Sequence, residues 1–494
     1  MSRSSGARRW GAAAGVVTVT GVTAGFLLGG VVHAATPAAV GSPGSGTLAP
    51  FTATTVGSVT ANGDNNPYSL AVVPLTAGKL VAGNVLSVNF NNGSTAGAGT
   101  SIVQVNPKDG SSSVFASGLP ISGPVGIAIN PTNDGVWIAS FGATDGSTSK
   151  DLLILPDGTV KANYNTTSVN ANPGYTGVKP TFDGLWGEGV SKHAGQVSFY
   201  YGTTGSGANG TGGGQVWRID PHPAGTANGQ PVNSTYAQIA TGLGDNATTK
   251  ALPVTAANAA GPQGFAYSDA TGILYVSNDA DNTITAISDA ATATGPATTK
   301  NVPVAAGVLN IPENIALNPA GNLLVVNAGN NTLNEINPTT GAVLGTRVLD
   351  TGAPGALFGL AVTTDAYGSP VIYYGNDNDN TLNQLFVPAP AAPAAPTGAA
   401  GVPVAPTGAA GVAVAPTGAA GVAVAPSGVT GIAVSSTGTN GVVVTPIGGV
   451  ATGAGGTAGG GNIALLIGDV IVAATGAVAA AVVWRGRRTA SNRS

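Results

Sequence analysis

The chain has no cysteine and one methionine, and only 8% of its 494 residues are charged. Without cysteine, disulfides, thiolate metal sites and thiol nucleophiles are all excluded. Glutamate is scarcer than charge as a whole, with Glu188, Glu313 and Glu335 the only three. Aromatic residues make up 5%, so a core has to rest mainly on aliphatic side chains. Between Phe51 and Val387 no stretch sustains helical periodicity, which argues against helical bundles and against folds that alternate strand and helix. Histidine is also rare: beyond residue 34 only His193 and His222 occur, in "KHAG" and "DPHPAG". Both contexts read as turns and neither has a metal-ligand spacing.

Glycine (77 residues) and proline (33) are abundant instead. That balance belongs to chains rich in tight turns or in low-complexity sequence, and this chain has both. Of the seventeen basic residues, three precede residue 10 and four fall in the last ten, so residues 35–461 carry ten basic and twenty acidic groups. Such a surface repels phosphate backbones, and nucleic acid is not expected as a partner.

The termini account for the outlying basic residues. Arg3, Arg8 and Arg9 precede an apolar run from Gly11 to Val32, and "VHA-AT" offers small residues near Ala34. Residues 1–34 therefore read as an export signal, by the general or the twin-arginine route, with 35–50 as a linker. Residues 463–484 are apolar enough to span a bilayer, with Asp469 toward one end. The basic tail 485–494 places the C-terminus in the cytoplasm and everything upstream outside. No LPxTG-like motif precedes the span.

Residues 389–461 repeat with a period of ten, as in "PTGAAGVAVA", "PSGVTGIAVS" and "STGTNGVVVT". Proline, glycine and alanine without large side chains bury too little surface to offset chain entropy. The expected result is a spacer, about 200 Å long if extended and about 50 Å as a random coil. The alternative is self-association, or a small β-stack through the Val-x-Val positions.

A longer repeat fills residues 51–388. "GPVGIAINPTNDGVWIAS", "GPQGFAYSDATGILYVSN", "IPENIALNPAGNLLVVN" and "ALFGLAVTTDAYGSPVIYYGN" each pair an apolar strand with a second one across a turn. "NPYSLAVVP" and "FDGLWGEGV" are looser copies, and segments such as "QVWRIDP" and "TLNEINP" supply third strands. Copies begin near residues 67, 124, 183, 262, 312 and 357. Six four-stranded units predict an all-β fold, a six-bladed β-propeller. The sixth unit lacks a fourth strand, and Phe51–Val59 is expected to supply it and close the ring.

The pattern "P-x-G-[LIF]-A", a turn, "[LI]-[YW]-V", an Asn/Asp loop and "N-x-[IL]" resembles the NHL-repeat and SMP-30-like (YncE-like) propeller superfamily, especially its exported bacterial members. The resemblance covers about residues 60–387. It implies a propeller, but not one activity, since propellers host binding, hydrolysis and lyase chemistry. SMP-30-like lactonases hold Ca²⁺ or Mg²⁺ at the channel mouth through Glu, Asn and Asp side chains, and Glu188, Glu313, Asn314 and Asn327 are the residues here that would imitate that set.

In such a ring the loops into each innermost strand share one rim with the turns between second and third strands. Asp183, Glu188, Gln263, Glu313 and Asn314 are thereby placed on the channel side, and Asn278, Asn327 and Asn376 on the rim. The rim segment "YYGNDNDNTLNQL" has siblings in "VSNDADNTITAI" and "VVNAGNNTLNEI". The amides recur in register whereas the acids do not, so the amides mark turn chemistry and not a cation site in every blade. "GSGANG" (205–210) matches a dinucleotide-binding glycine pattern but has no helix to open.

No nucleophile–base arrangement stands out. The leading expectation is a cell-surface, non-catalytic binding module without a cofactor, tethered by its C-terminal helix and presenting its rim to an extracellular protein, glycan or small molecule. A metal-dependent hydrolase of the lactonase type, using Ca²⁺ or Mg²⁺, is the alternative, and a wall- or matrix-associated structural protein is a third.

Overall fold

Each innermost strand carries the same irregularity, a β-bulge at the glycine or its substitute in the P-x-G pattern, and the architecture follows from it. The computed structural model describes residues 44–142, 144–170, 178–221 and 234–388, and the backbone of 432–436 and 442–446. The expected export signal and bilayer span, the basic tail and most of the decapeptide repeat lie outside the described residues.

The innermost strands are Asp64–Val72, Pro124–Ile129, Leu185–His193, Pro262–Ser268, Pro312–Leu317 and Leu357–Thr364. Each opens an antiparallel sheet laid down in sequence order from the axis outward. Neighbouring innermost strands pack side by side, and the sixth packs against the first, so six sheets form a closed ring. The second strands, such as Val136–Ser140, are buried along their whole length because a blade lies on either side. That burial explains why they read as apolar runs with no polar alternation.

Ring closure explains the glycine of the P-x-G pattern. A side chain at Gly126 would collide with the backbone of Glu188 in the third blade, and one at Gly264 with the backbone of Glu313 and Ile315 in the fifth. Innermost strands approach one another through these bare positions.

The expected closing strand is present. Thr52–Ser58 pairs antiparallel with Thr381–Phe386, from Thr52 opposite Phe386 to Ser58 opposite Thr381. A further pairing was not foreseen: Ser45–Gly46 adds a fifth strand to the fifth blade, against Val343–Val348. Between these two strands Leu48 is fully buried, and the Arg347 guanidinium donates to the Phe51 carbonyl. One N-terminal segment thus ties the outer edges of two blades.

The outermost strands were the least legible. Val160–Tyr164 belongs to no segment of the repeat as read from the sequence, and the fourth blade ends in the short strand Thr299–Asn301. The "GSGANG" segment holds one 3-10 turn, Gly207–Asn209. In the second compact unit of the chain, Ile432–Ser436 pairs antiparallel with Val442–Pro446. The last two decapeptide copies therefore carry β structure of the Val-x-Val kind.

Leu48→Ala should lower the unfolding free energy by about 2–5 kcal/mol, the usual cost of emptying a buried leucine site. Urea unfolding of the two proteins measures it, and a loss under about 1 kcal/mol would mean that the N-terminal tie is dispensable.

Candidate functional site: the channel mouth

The first residue of each innermost strand pairs with the end of the second strand, as in Pro262 with Asn278 and Pro312 with Asn327. Strand starts and second-to-third turns therefore share one rim, as expected. Just inside that rim, at the bulge, the six blades present Tyr68, Val125, Trp186, Gln263, Glu313 and Phe358, all of them buried.

Aromatic rings fill half of this circle. Tyr68 stacks on Phe358 at 4.6 Å and meets the edge of Trp186 at 5.4 Å. Phe90 and Phe141, at the ends of second strands, contact Trp186 at 5.8 and 5.5 Å. The channel is plugged at this end by an aromatic cluster, in a chain that has few aromatic residues to spend.

Of the other three positions Val125 is apolar, whereas Gln263 and Glu313 are polar and poorly satisfied. Gln263 is 0% exposed and Glu313 2% exposed. Neither amide atom of Gln263 has a hydrogen-bond partner, and neither does Oε2 of Glu313 or the indole N–H of Trp186. Gln263 lies beside the Tyr68 hydroxyl and the Glu313 carboxyl without completing a hydrogen bond of ordinary geometry to either. Burial holds the Glu313 carboxyl well above the usual range, reinforced by the nearby charge of Asp279. Asp279 accepts from the Gly261 N–H at 2.6 Å. Desolvation nevertheless pushes it up to about 7, and Asp377 likewise, with Asp379 adding repulsion there. Both aspartates are partly exposed at the rim. Glu313, Asp279 and Asp377 all act on the Tyr68 hydroxyl, whose ionisation they oppose.

The other residues singled out in the sequence serve elsewhere. Asn314 stands where other blades have glycine, and its amide donates to the carbonyls of Tyr68 (3.1 Å) and Phe358 (2.9 Å). It fastens the fifth blade to the first and sixth. Asn278 donates to the Gly244 carbonyl and accepts from the Ala280 N–H, each at 3.0 Å. Asn327 accepts from the Asn310 N–H at 3.1 Å, and Asn376 donates to Asp350 at 3.0 Å. These are turn amides, and their in-register partners Asn282, Asn331 and Asn380 adopt φ of 57°, 52° and 56°, the left-handed backbone expected of them. Asp183 accepts from Ser206 at 3.2 Å, and burial raises its pKa. His193 pairs with Asp269 at 3.1 Å on an exposed surface, and His222 lies outside the described residues.

Glu188 belongs to a different place from Glu313. It faces the second blade, over the bare Gly126, and meets Asp151, which is 0% exposed. None of the four carboxyl oxygens of this pair has a partner. Desolvation raises both well above the usual range, and the Asp151 charge raises Glu188 further. Of the set Glu188, Glu313, Asn314 and Asn327, Glu188 meets Asp151, Glu313 meets Tyr68 and Gln263, and the two amides bind backbone groups. Among the described residues no three His, Asp or Glu side chains form a metal-holding group.

The sequence reading missed Tyr68, Trp186, Phe358 and Asp151, and it set Asp279 and Asp377 aside as optional turn acids. The signal for the first three was present: each occupies the position before the glycine, or its substitute, when the six repeats are aligned.

No family model and no curated protein matches the chain. Solved six-bladed propellers are similar in outline. A gluconolactonase from Xanthomonas campestris is 14% identical, covering 72% of this chain and 99% of its own, with a TM-score of 0.43. Virginiamycin B lyase from Staphylococcus aureus is 14% identical over 68% of this chain and 100% of its own, with a TM-score of 0.38. The PQQ-bound aldose sugar dehydrogenase from Streptomyces coelicolor is 14% identical over 68% and 98%, with a TM-score of 0.40. Likeness at this level gives no assignment of activity.

The Asp151–Glu188 pair makes stability depend on pH. Its native pKa values lie above those of the unfolded chain, so the native state keeps protons that the unfolded chain releases from about pH 4 upward. Stability should fall as pH rises from about 4 toward the native values, by about 1.4 kcal/mol for each unit of upward shift. Asp151→Asn should flatten that decline in urea midpoints measured from pH 4 to 8. A variant profile parallel to the parent's would contradict the assignment.

Proposed function

We propose that the chain is a recognition propeller that binds a small ligand at the Tyr68–Gln263–Glu313 mouth and has no catalysis of its own. In this reading it is exported and held outside the cell, near the membrane, by the sequence that follows residue 388. The observation that carries the reading is the cost of the mouth: a fully buried amide and one oxygen of a buried carboxyl lack hydrogen-bond partners at one place on the axis. An unpaired buried polar group costs about 1–3 kcal/mol. Selection for stability alone would replace it with an apolar side chain, whereas a ligand that pairs with it explains its presence. The aromatic floor beside these groups suits the apolar part of such a ligand.

A second reading rests on Asp279 and Asp377. Carboxyls held at about 7 are poised to take and give protons near neutral pH, which suits hydrolysis or elimination at the same mouth. Recognition is the simpler account, because it asks of the same groups only that they pair with a ligand.

The two roles of Gln263 separate by experiment. If it serves a ligand, Gln263→Leu should stabilise the ligand-free chain by about 1–3 kcal/mol in urea unfolding, because an unpaired amide is replaced by an apolar side chain. A destabilisation of similar size would show that Gln263 holds the fold together, and the proposal would fall.

A further inference from the structure

Basic side chains are missing from one half of the mouth. Between residues 251 and 388 the chain has only Lys300 and Arg347. Lys300 lies in the exposed outermost strand of the fourth blade, and Arg347 is directed to the Phe51 carbonyl on the outer edge of the fifth. The rim of these blades instead gathers Asp279, Asp281, Glu313, Asp350, Asp377 and Asp379. They form two runs that meet at Tyr68: Asp281 acts on Asp279 and Asp279 on Glu313, Asp350 acts on Asp379 and Asp379 on Asp377, and Glu313, Asp279 and Asp377 all act on the Tyr68 hydroxyl.

The structure neutralises these acids only in part. Asp350 accepts from the amides of Asn331, Asn376 and Asn378, and Asp281 and Asp379 from the hydroxyls of Thr283 and Thr381. Asp377 receives no donor on its carboxyl among the described residues, and Asp279 receives the Gly261 N–H and lies beside the Trp186 indole N–H. Among the described residues no basic side chain forms an ion pair with the set. Behind Asp279 lie the unpartnered atoms of Gln263 and Glu313, next to the Tyr68–Phe358–Trp186 floor.

We infer that the mouth takes an organic ammonium ion with an apolar body, its charge facing Asp279, Asp377 and Glu313 and its body on the aromatic floor. This rests on the recognition reading above and names its ligand class. An ammonium group supplies both things the site lacks, a positive charge and several N–H donors. Aromatic residues beside carboxylates favour such cations over neutral molecules of the same shape. An inorganic divalent ion is usually held by several carboxylates around one point, and among the described residues no three His, Asp or Glu side chains gather in that way.

Isothermal titration of the full chain with phenethylammonium, with the neutral phenethyl alcohol and with Ca²⁺ tests the inference. Phenethylammonium should bind saturably and at least tenfold more tightly than the alcohol. Its affinity should fall at least tenfold in Glu313→Gln, and also in Asp377→Asn, whose partly exposed side chain can be changed without disturbing the core. Affinity should also fall about tenfold from pH 8 to pH 6 for each carboxylate required, as groups near 7 become protonated. Equal binding of alcohol and amine, dependent on Glu313, would overturn the ammonium class and leave the recognition reading standing. Glu313-dependent binding of Ca²⁺ that displaces the amine would assign the mouth to a metal instead. Binding of none of the three overturns the inference, while the Gln263→Leu stability measurement judges the recognition reading independently.

Discussion

The ring depends on one steric constraint: six innermost strands must approach side by side around a common axis. The approach is close enough that a single β-carbon would collide with the next blade at Gly126 and Gly264. The bulge and the glycine are two parts of one solution, since the bulge turns one residue inward and the glycine after it admits the neighbouring backbone. Where the fifth blade has Asn314 in place of glycine, the extra volume is used to bind two carbonyls of the neighbouring blades. Closure at the rim of the sheets is then completed by the N-terminal segment, which covers edges that would otherwise be open to pairing with other chains.

The same constraint creates the unusual chemistry of the axis. Residues at the bulge are forced inward whatever their polarity, and most are apolar or aromatic. Gln263 and Glu313 are not, and their burial without partners follows from position alone. The Asp151–Glu188 pair has a similar origin one layer out, where the bare Gly126 leaves room between the second and third blades. Two groups of carboxyls are therefore desolvated by architecture, and only the group at the mouth opens toward solvent, through Asp279 and Asp377. That difference in access separates a structural pair from a candidate binding site.

Much of the fold was legible because blades are locally encoded. Strand, turn and second strand recur with the same residue types, so the six starts and the closing strand could be read from spacing. The left-handed Asn282, Asn331 and Asn380 were legible for the same reason, because a turn makes its demands on adjacent residues. What could not be read depends on neighbours distant in sequence. Glu188 and Glu313 occupy similar places in their repeats, yet one faces Asp151 across a blade interface and the other faces Tyr68 across the axis. Asn314 looked like a ligand until the ring placed two carbonyls within its reach. The strand Ser45–Gly46 is two residues long, held by its backbone and the Ser45 hydroxyl on Thr346, and is too short to leave a periodic pattern.

The scarcity of glutamate gives the account its most direct test. With side-chain carboxyl carbons labelled at glutamate only, the full chain should give three carboxyl NMR signals, which Glu188→Gln and Glu313→Gln would assign. The account predicts that the Glu188 and Glu313 signals titrate well above the ordinary carboxylate range, as desolvated, unpaired groups must. Titration of both near the ordinary glutamate value of about 4.3 would contradict it.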